Sequence, residues 1–132
     1  MKNKKGFTLT EILVVIVVIG VLLLIAVPSV ILIRKNINER LFESKKEIIL
    51  YAASRYGKDN NIEEETTVYI WELLNDYYID PDLKPGESIC PSNNDKKYLN
   101  GCVINPSDNT LINETSLTIR PIGSSVEAIW PE

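Results

Sequence analysis

The sequence predicts an α+β fold, in which one long N-terminal α-helix packs by its second half against a small antiparallel β-sheet. Three observations predict it. Across residues 12–33 no side chain carries a charge, and only Gly20, Pro28 and Ser29 interrupt the aliphatic run. Beyond Ile33, apolar residues recur at three- to four-residue intervals among charged ones, so the helix continues in amphipathic form. The last third then changes to short stretches, some alternating apolar and polar, bounded by Pro, Asn and Gly, which is the pattern of strands and turns. Laying that sheet on the second half of the helix is the economical way to bury both apolar faces.

The first element is KKGFTLTEILVVIVVIGVLLLIAVPSVILI, with a basic head, a Gly-Phe step and a single acid at Glu11. At 1.5 Å per residue, a helix over residues 7–33 is roughly 40 Å long, enough to cross a bilayer. The core of a domain this small does not need such a run, so the segment reads as membrane-inserting. Glu11 is the anomaly. A carboxylate taken deep without a partner costs about 2–3 kcal/mol or more, and neither a signal peptide nor a simple anchor uses one. Ala26-Val27-Pro28 is a poor match to a signal-peptidase site, and no cysteine stands nearby to carry a lipid. A cut between Gly6 and Phe7 would instead place a new ammonium one helical turn from Glu11, at i,i+4 spacing. The pair could close within one chain. Alternatively Glu11 could take the Phe7 amine of a neighbouring copy, which would make the charge a register device for packing helices.

These residues resemble the N-terminal signature of type IV pilins and pseudopilins, filament subunits cut by a dedicated prepilin peptidase. The matching positions are Lys2, Lys4 and Lys5, then Gly6, Phe7, Thr8, Glu11 and Pro28. The resemblance implies that 1–6 is a leader removed by the peptidase and that Phe7 is N-methylated. It implies that 7–33 is a transmembrane and filament-core helix, and that Glu11 helps recruit each subunit by neutralising a neighbour's amino terminus. The implied partners are other pilin-like subunits in a homo- or hetero-polymer, the prepilin peptidase, the inner-membrane pilus assembly machinery, and membrane lipid before assembly. The implied location is a single pass of the cytoplasmic membrane with the N-terminus inside, and later a filament at the cell surface. Charge alone does not fix the orientation, because Lys2, Lys4 and Lys5 face Arg34, Lys35 and Arg40 across the apolar run.

Composition bounds the rest. The chain has 132 residues, which leaves room for one modest domain after Ile33. Its formal charge is −4, and loss of the three leader lysines takes it to −7. An acidic head argues against unaided nucleic-acid binding, which needs clustered Lys and Arg. There is no histidine, so Cys/His zinc sites and thiol–imidazole catalysis are not expected. No Gly-rich phosphate loop, serine with a base, or paired acids stand out, and we expect no catalytic site and no cofactor. Asp80, Asp82, Glu87 and Asp95 lie across two prolines and a cysteine without a calcium-loop pattern, and read as surface acids rather than a metal site.

The remaining elements follow in order. Gly20 and Pro28 are breakers in the apolar helix; Pro28 lacks an N–H and crowds the Leu24 carbonyl. This reads as an ordinary bend, while the resemblance implies unwinding between the two residues in a filament. Residues 34–57 form the amphipathic continuation, with Ile33, Ile37, Leu41, Ile48 and Ala52 marking its apolar face. Glu39, Glu43 and Glu47 are spaced to pair with nearby Lys and Arg. Gly57 is expected just past the helix end. The head, 58–132, opens with a loop and a short helix over 70–77 that stops before Asp80-Pro81. Trp71, Tyr77 and Tyr78 are expected as packing aromatics. Leu73, Leu74, Tyr78 and Ile79 also resemble an element of Gram-positive pilin-like subunits, with Tyr77 standing where glycine is usual. Cys90 and Cys102 most simply form one disulfide, which would contribute about 3 kcal/mol in the chain-entropy model; two buried free thiols are the alternative. Residues 101–105 and 110–113 are expected to pair as a hairpin around a 106–109 turn. Further strands are expected at 117–120 and 126–130. Asn113-Glu114-Thr115 matches a glycosylation acceptor, a pattern short enough to arise by chance.

Three readings meet these observations: a pilin-like subunit, a bitopic anchored domain that binds an extracellular partner as a monomer, and a tethered enzyme. Glu11 after Gly6-Phe7 favours the first over the second. The lack of histidine and catalytic motifs counts against the third.

Overall fold

The computed structural model describes residues 5–132, so Lys2 and Lys4 of the expected leader lie outside the described residues. The chain comprises α1 (Leu9–Asp59), β1 (Thr66–Tyr69), α2 (Ile70–Asn75), β2 (Ser116–Ile122) and β3 (Ser125–Ile129). It divides into two compact units, one ending at Ile37 and the other spanning Asn38–Glu132. In the first unit α1 runs unbroken through Gly20 and Pro28. The Ser29 hydroxyl donates to the Ile25 carbonyl at 3.0 Å, one turn back.

In the second unit α1 supplies the floor of the core. Its buried residues are Ile49, Ala52, Ala53 and Gly57. This corrects the face read from the sequence: only Ala52 of the expected set is buried, and Ile48 remains 65% exposed. Small residues decide the outcome. A Cβ on Gly57 would stand 2.7 Å from Ile119 Cγ2 and 2.8 Å from Val126 Cγ1, so the missing side chain lets the sheet close on the helix. Gly57 is therefore a packing residue inside the last turns rather than the residue beyond them. The helix stops at Asn61, which takes a left-handed φ of 49°. Ile62 N–H donates to Gly57 O at 3.0 Å and Asn61 N–H to Lys58 O at 3.2 Å, the paired bonds of a Schellman ending.

The sheet has strand order β1-β2-β3, antiparallel throughout. Val68 pairs with Leu117 across β1 and β2, and Ile119 pairs with Ala128 across β2 and β3. Leu117 and Ile119 point into the core, where Ile49, Ala53, Ile70, Leu73, Leu74 and Val103 meet them. The two expected C-terminal strands are present, each shifted or extended by a few residues. Strand β1 was not foreseen; it is four residues long with one buried side chain and runs directly into α2. The α2 helix opens where Glu72 Oε2 accepts the Tyr69 N–H at 2.7 Å. It closes two residues earlier than expected, because Tyr77 adopts φ 59°. Tyr78 N–H donates to Leu73 O at 2.9 Å and Tyr77 N–H to Leu74 O at 3.2 Å, a second Schellman ending. Tyr77 is 85% exposed and is not the packing aromatic the sequence suggested. Tyr78 does pack, edge-on against Tyr56 with ring centres 5.3 Å apart.

The hairpin expected between 101–105 and 110–113 forms in a short version: Ile104 bridges Leu111 antiparallel, with Asn105 N–H donating to Thr110 O at 2.8 Å and Ile112 N–H to Val103 O at 2.9 Å, while Cys102 bridges Leu83 outside it. Beyond that bridge Asn113 takes over. Its Oδ1 accepts the Val103 N–H at 2.7 Å, and its Nδ2 donates to Lys97 O at 2.7 Å and Gly101 O at 2.9 Å. One buried side chain thus satisfies backbone groups that the short ladder leaves free. That side chain is fully buried with both amide protons engaged, so the folded head offers no glycosylation acceptor there.

Candidate functional site

The helix N-terminus is built from four consecutive features of the sequence. Gly6 precedes the helix with open space on the side where a Cβ would stand. Phe7 follows, exposed. Thr8 caps the helix: its Oγ1 accepts the Glu11 N–H at 3.3 Å, and the Glu11 carboxylate accepts the Thr8 N–H at 2.8 Å. This reciprocal pair is a capping box, which satisfies two of the amide donors that every helix start leaves free. Phe7, Thr10, Glu11, Val14 and Val15 line a shallow groove of about 400 Å³ on one helix face. Glu11 is the charged residue of its lining, beside Phe7, Val14 and Val15.

The arrangement has a defined chemistry. Oε2 of Glu11 is engaged by Thr8, while a carboxylate offers about four acceptor positions in all. The acid is therefore held in place at the positive end of the helix dipole, with lone pairs left for a cation that enters the groove. Sequence reasoning used Thr8 only as a matching position. Its spacing to Glu11, Thr-x-x-Glu before an apolar run, is the signal that identifies the cap.

The other singled-out residues lie elsewhere. Gly20 and Pro28 sit within the uninterrupted α1, and a Cβ on Gly20 would meet nothing. Cys90 and Cys102 are joined by a disulfide with Cα atoms 5.7 Å apart, and both are buried in the head unit. Asp82 is a structural node. Its carboxylate binds the Lys45 ammonium and accepts the Ile104 N–H at 2.8 Å, while Lys45 also donates to Ile104 O at 2.7 Å. Among the described residues no group of three or more His, Cys, Asp or Glu is placed to hold a metal ion. Of the helix ion pairs expected from spacing, Lys46 to Glu43 forms at 2.9 Å. Lys46 also lies over the Phe42 ring, 4.6 Å from its centre.

A helix long and apolar enough to cross a membrane, opening on a capped acid and continuing into a small α+β head, fits the class of membrane-anchored proteins. The comparisons with known proteins narrow that class. Residues 1–27 match the family model described as the prokaryotic N-terminal methylation motif. The chain is 33% identical over 99 residues to the ComG operon protein 3 homolog of Bacillus licheniformis, covering 75% of this chain and 94% of that protein. It is 29% identical over 90 residues to competence protein ComGC of Bacillus subtilis, covering 68% of this chain and 84% of that protein. It is 34% identical over 61 residues to PilA4 of Thermus thermophilus, a type IV wide pilus major component, covering 46% and 47%. No solved structure matches significantly. The chain belongs to the type IV pilin and pseudopilin family.

Proposed function

We propose that this chain is a structural subunit of a pseudopilus that serves DNA uptake, assembling with other pilin subunits through its N-terminal helix. The observation that carries this reading is Glu11, held by Thr8 at the mouth of an uncharged apolar helix. Of the two relatives matched over most of their own length, one is named a competence protein and the other carries the same ComG label, which favours a competence filament over other pili.

In this reading the chain is made with its N-terminus inside and crosses the membrane once. Prepilin peptidase cuts between Gly6 and Phe7, and Phe7 is N-methylated. The new Phe7 ammonium of one copy then enters the groove beside Glu11 of a neighbour. An ammonium–carboxylate hydrogen bond is about twice as strong as a neutral one, and stronger again where water is excluded. Glu11 alone in lipid is costly; paired within a filament it is neutralised. The difference favours a subunit in the polymer, delivered by the pilus assembly machinery, over the same subunit left in lipid.

Intact mass and N-terminal sequence of the chain recovered from its host test the processing step. A start at N-methylated Phe7 is expected, and a start at Met1 would favour an anchored monomer that binds an extracellular partner. Gly6→Leu should leave the precursor uncut. Glu11→Ala should be cut normally yet fall about tenfold or more in sheared filaments, since losing one such pair removes at least 1.4 kcal/mol. Normal filament yield from Glu11→Ala would refute the pairing.

A further inference from the structure

The head unit carries an apolar groove, separate from the helix N-terminus, whose shape and charge point to a particular occupant. It holds about 580 Å³, within the range of pockets that take a ligand or a few side chains. Leu41 and Ile48 of α1 form one wall, and Ile79, Val103 and Pro106 the other. Leu41 and Ile48 are each more than half exposed, so the head itself leaves this surface uncovered. Asp80 stands on the rim. Lys45, the other charged residue of the lining, is neutralised by its ion pair with Asp82. Among the described residues Asp80 has no cation within 4.0 Å, so the groove presents one free negative charge beside an apolar floor.

The complementary surface is in the same sequence. Ile33 and Ile37 are exposed and spaced i,i+4, with Arg34 and Lys35 between them. Among the described residues neither cation has a carboxylate within 4.0 Å. Two aliphatic side chains beside two free cations match an apolar groove with a free acid on its rim. A groove on one part of a chain and its complement on another make a heterologous contact, which repeats into an open helical filament instead of closing as a dimer. We propose that the groove seats residues 33–37 of a second copy, with Ile33 and Ile37 against Leu41, Ile48 and Ile79, and with Arg34 or Lys35 on Asp80. The proposal rests on the filament reading and adds to it a second, charge-coded contact between copies.

Cysteine cross-linking in the full chain tests it. The Ile37→Cys/Ile48→Cys double variant, oxidised on intact cells, should give a covalent ladder in the sheared fraction, and neither single variant should. A link within one chain is excluded, since eleven residues of helix place the two Cα atoms about 16 Å apart, beyond disulfide reach. Independently, Asp80→Lys should lower filament-associated protein about tenfold at unchanged total protein, because like charges meeting in an interface cost several kcal/mol. Adding Arg34→Asp and Lys35→Asp to that variant should restore filaments to within about threefold of wild type. Wild-type filaments without a ladder and without rescue would overturn this contact and leave the filament reading intact. Cross-linked dimers from a single variant would also overturn it, by showing like surfaces meeting. A chain absent from every filament fraction would overturn the filament reading and this contact together.

Discussion

The two units of this protein carry information in opposite ways. In the N-terminal unit, a few adjacent residues specify both structure and chemistry. Thr8 and Glu11 close on each other three positions apart, and residues 12–33 present an uncharged, mostly aliphatic exposed surface. In the head unit the decisive contacts join residues far apart in sequence. Lys45 reaches Asp82 and Ile104, Asn113 reaches Lys97, Gly101 and Val103, and Gly57 admits Ile119 and Val126. The first unit resembles a motif read from a line of text. The second is a small core held together by three polar or steric nodes. The comparison teaches that assembly and head stability should be separable by mutation.

The largest test of that separation is Asn113→Ala. It would leave the Val103 N–H and the Lys97 and Gly101 carbonyls without their partner. An unpaired buried polar group costs about 1–3 kcal/mol, so a loss of about 3–5 kcal/mol from the head is expected. Thermal unfolding of the full chain in detergent, followed by near-ultraviolet dichroism, should show it. Cleavage at the leader should be unaffected; a processing defect in this variant would break the comparison. Next in size is the disulfide. Cys90→Ser/Cys102→Ser opens a loop that the bond closes, for an expected loss of about 3 kcal/mol by the same measurement. Both values compare with Glu11→Ala, for which the head's unfolding temperature should not move.

How much was legible follows from the same contrast. The long helix, the apolar segment, the Gly6-Phe7-Glu11 constellation and the last two strands could be read because each is a local pattern. The helix face was misjudged because the three- to four-residue spacing was followed through Leu41 and Ile48, while the sheet sits on Ala53 and Gly57, where close approach matters more than apolar area. The 101–113 hairpin was inferred from turn residues, and its two arms do pair, through the single Ile104–Leu111 bridge. What the sequence hid is its shortness: Asn113 supplies its own side chain to the Val103 N–H and the Gly101 carbonyl, where a longer ladder would have continued. Strand β1 was missed because four residues with one buried position give no period to detect. In one dimension glycine at 57 reads as a helix-end residue and asparagine at 113 as the end of a short strand. Only the folded chain makes them core.

The smallest expected effect is also the most local, and it links the two kinds of information. Tyr77 holds φ 59° at the end of α2, a left-handed conformation that glycine adopts freely and a residue with a Cβ does not. Its ring is almost wholly exposed, so little packing offsets that strain. Tyr77→Gly removes about 1–2 kcal/mol of left-handed penalty and adds about 0.5–1 kcal/mol of unfolded-chain entropy. The balance is a head more stable by about 0.5–1 kcal/mol, seen as a rise of a few degrees in its unfolding temperature. If stability falls instead, the Tyr77 ring makes a contact that matters to the head. If stability rises while filament yield drops, the exposed ring is used between copies, and the tyrosine is kept for assembly at a cost to the fold.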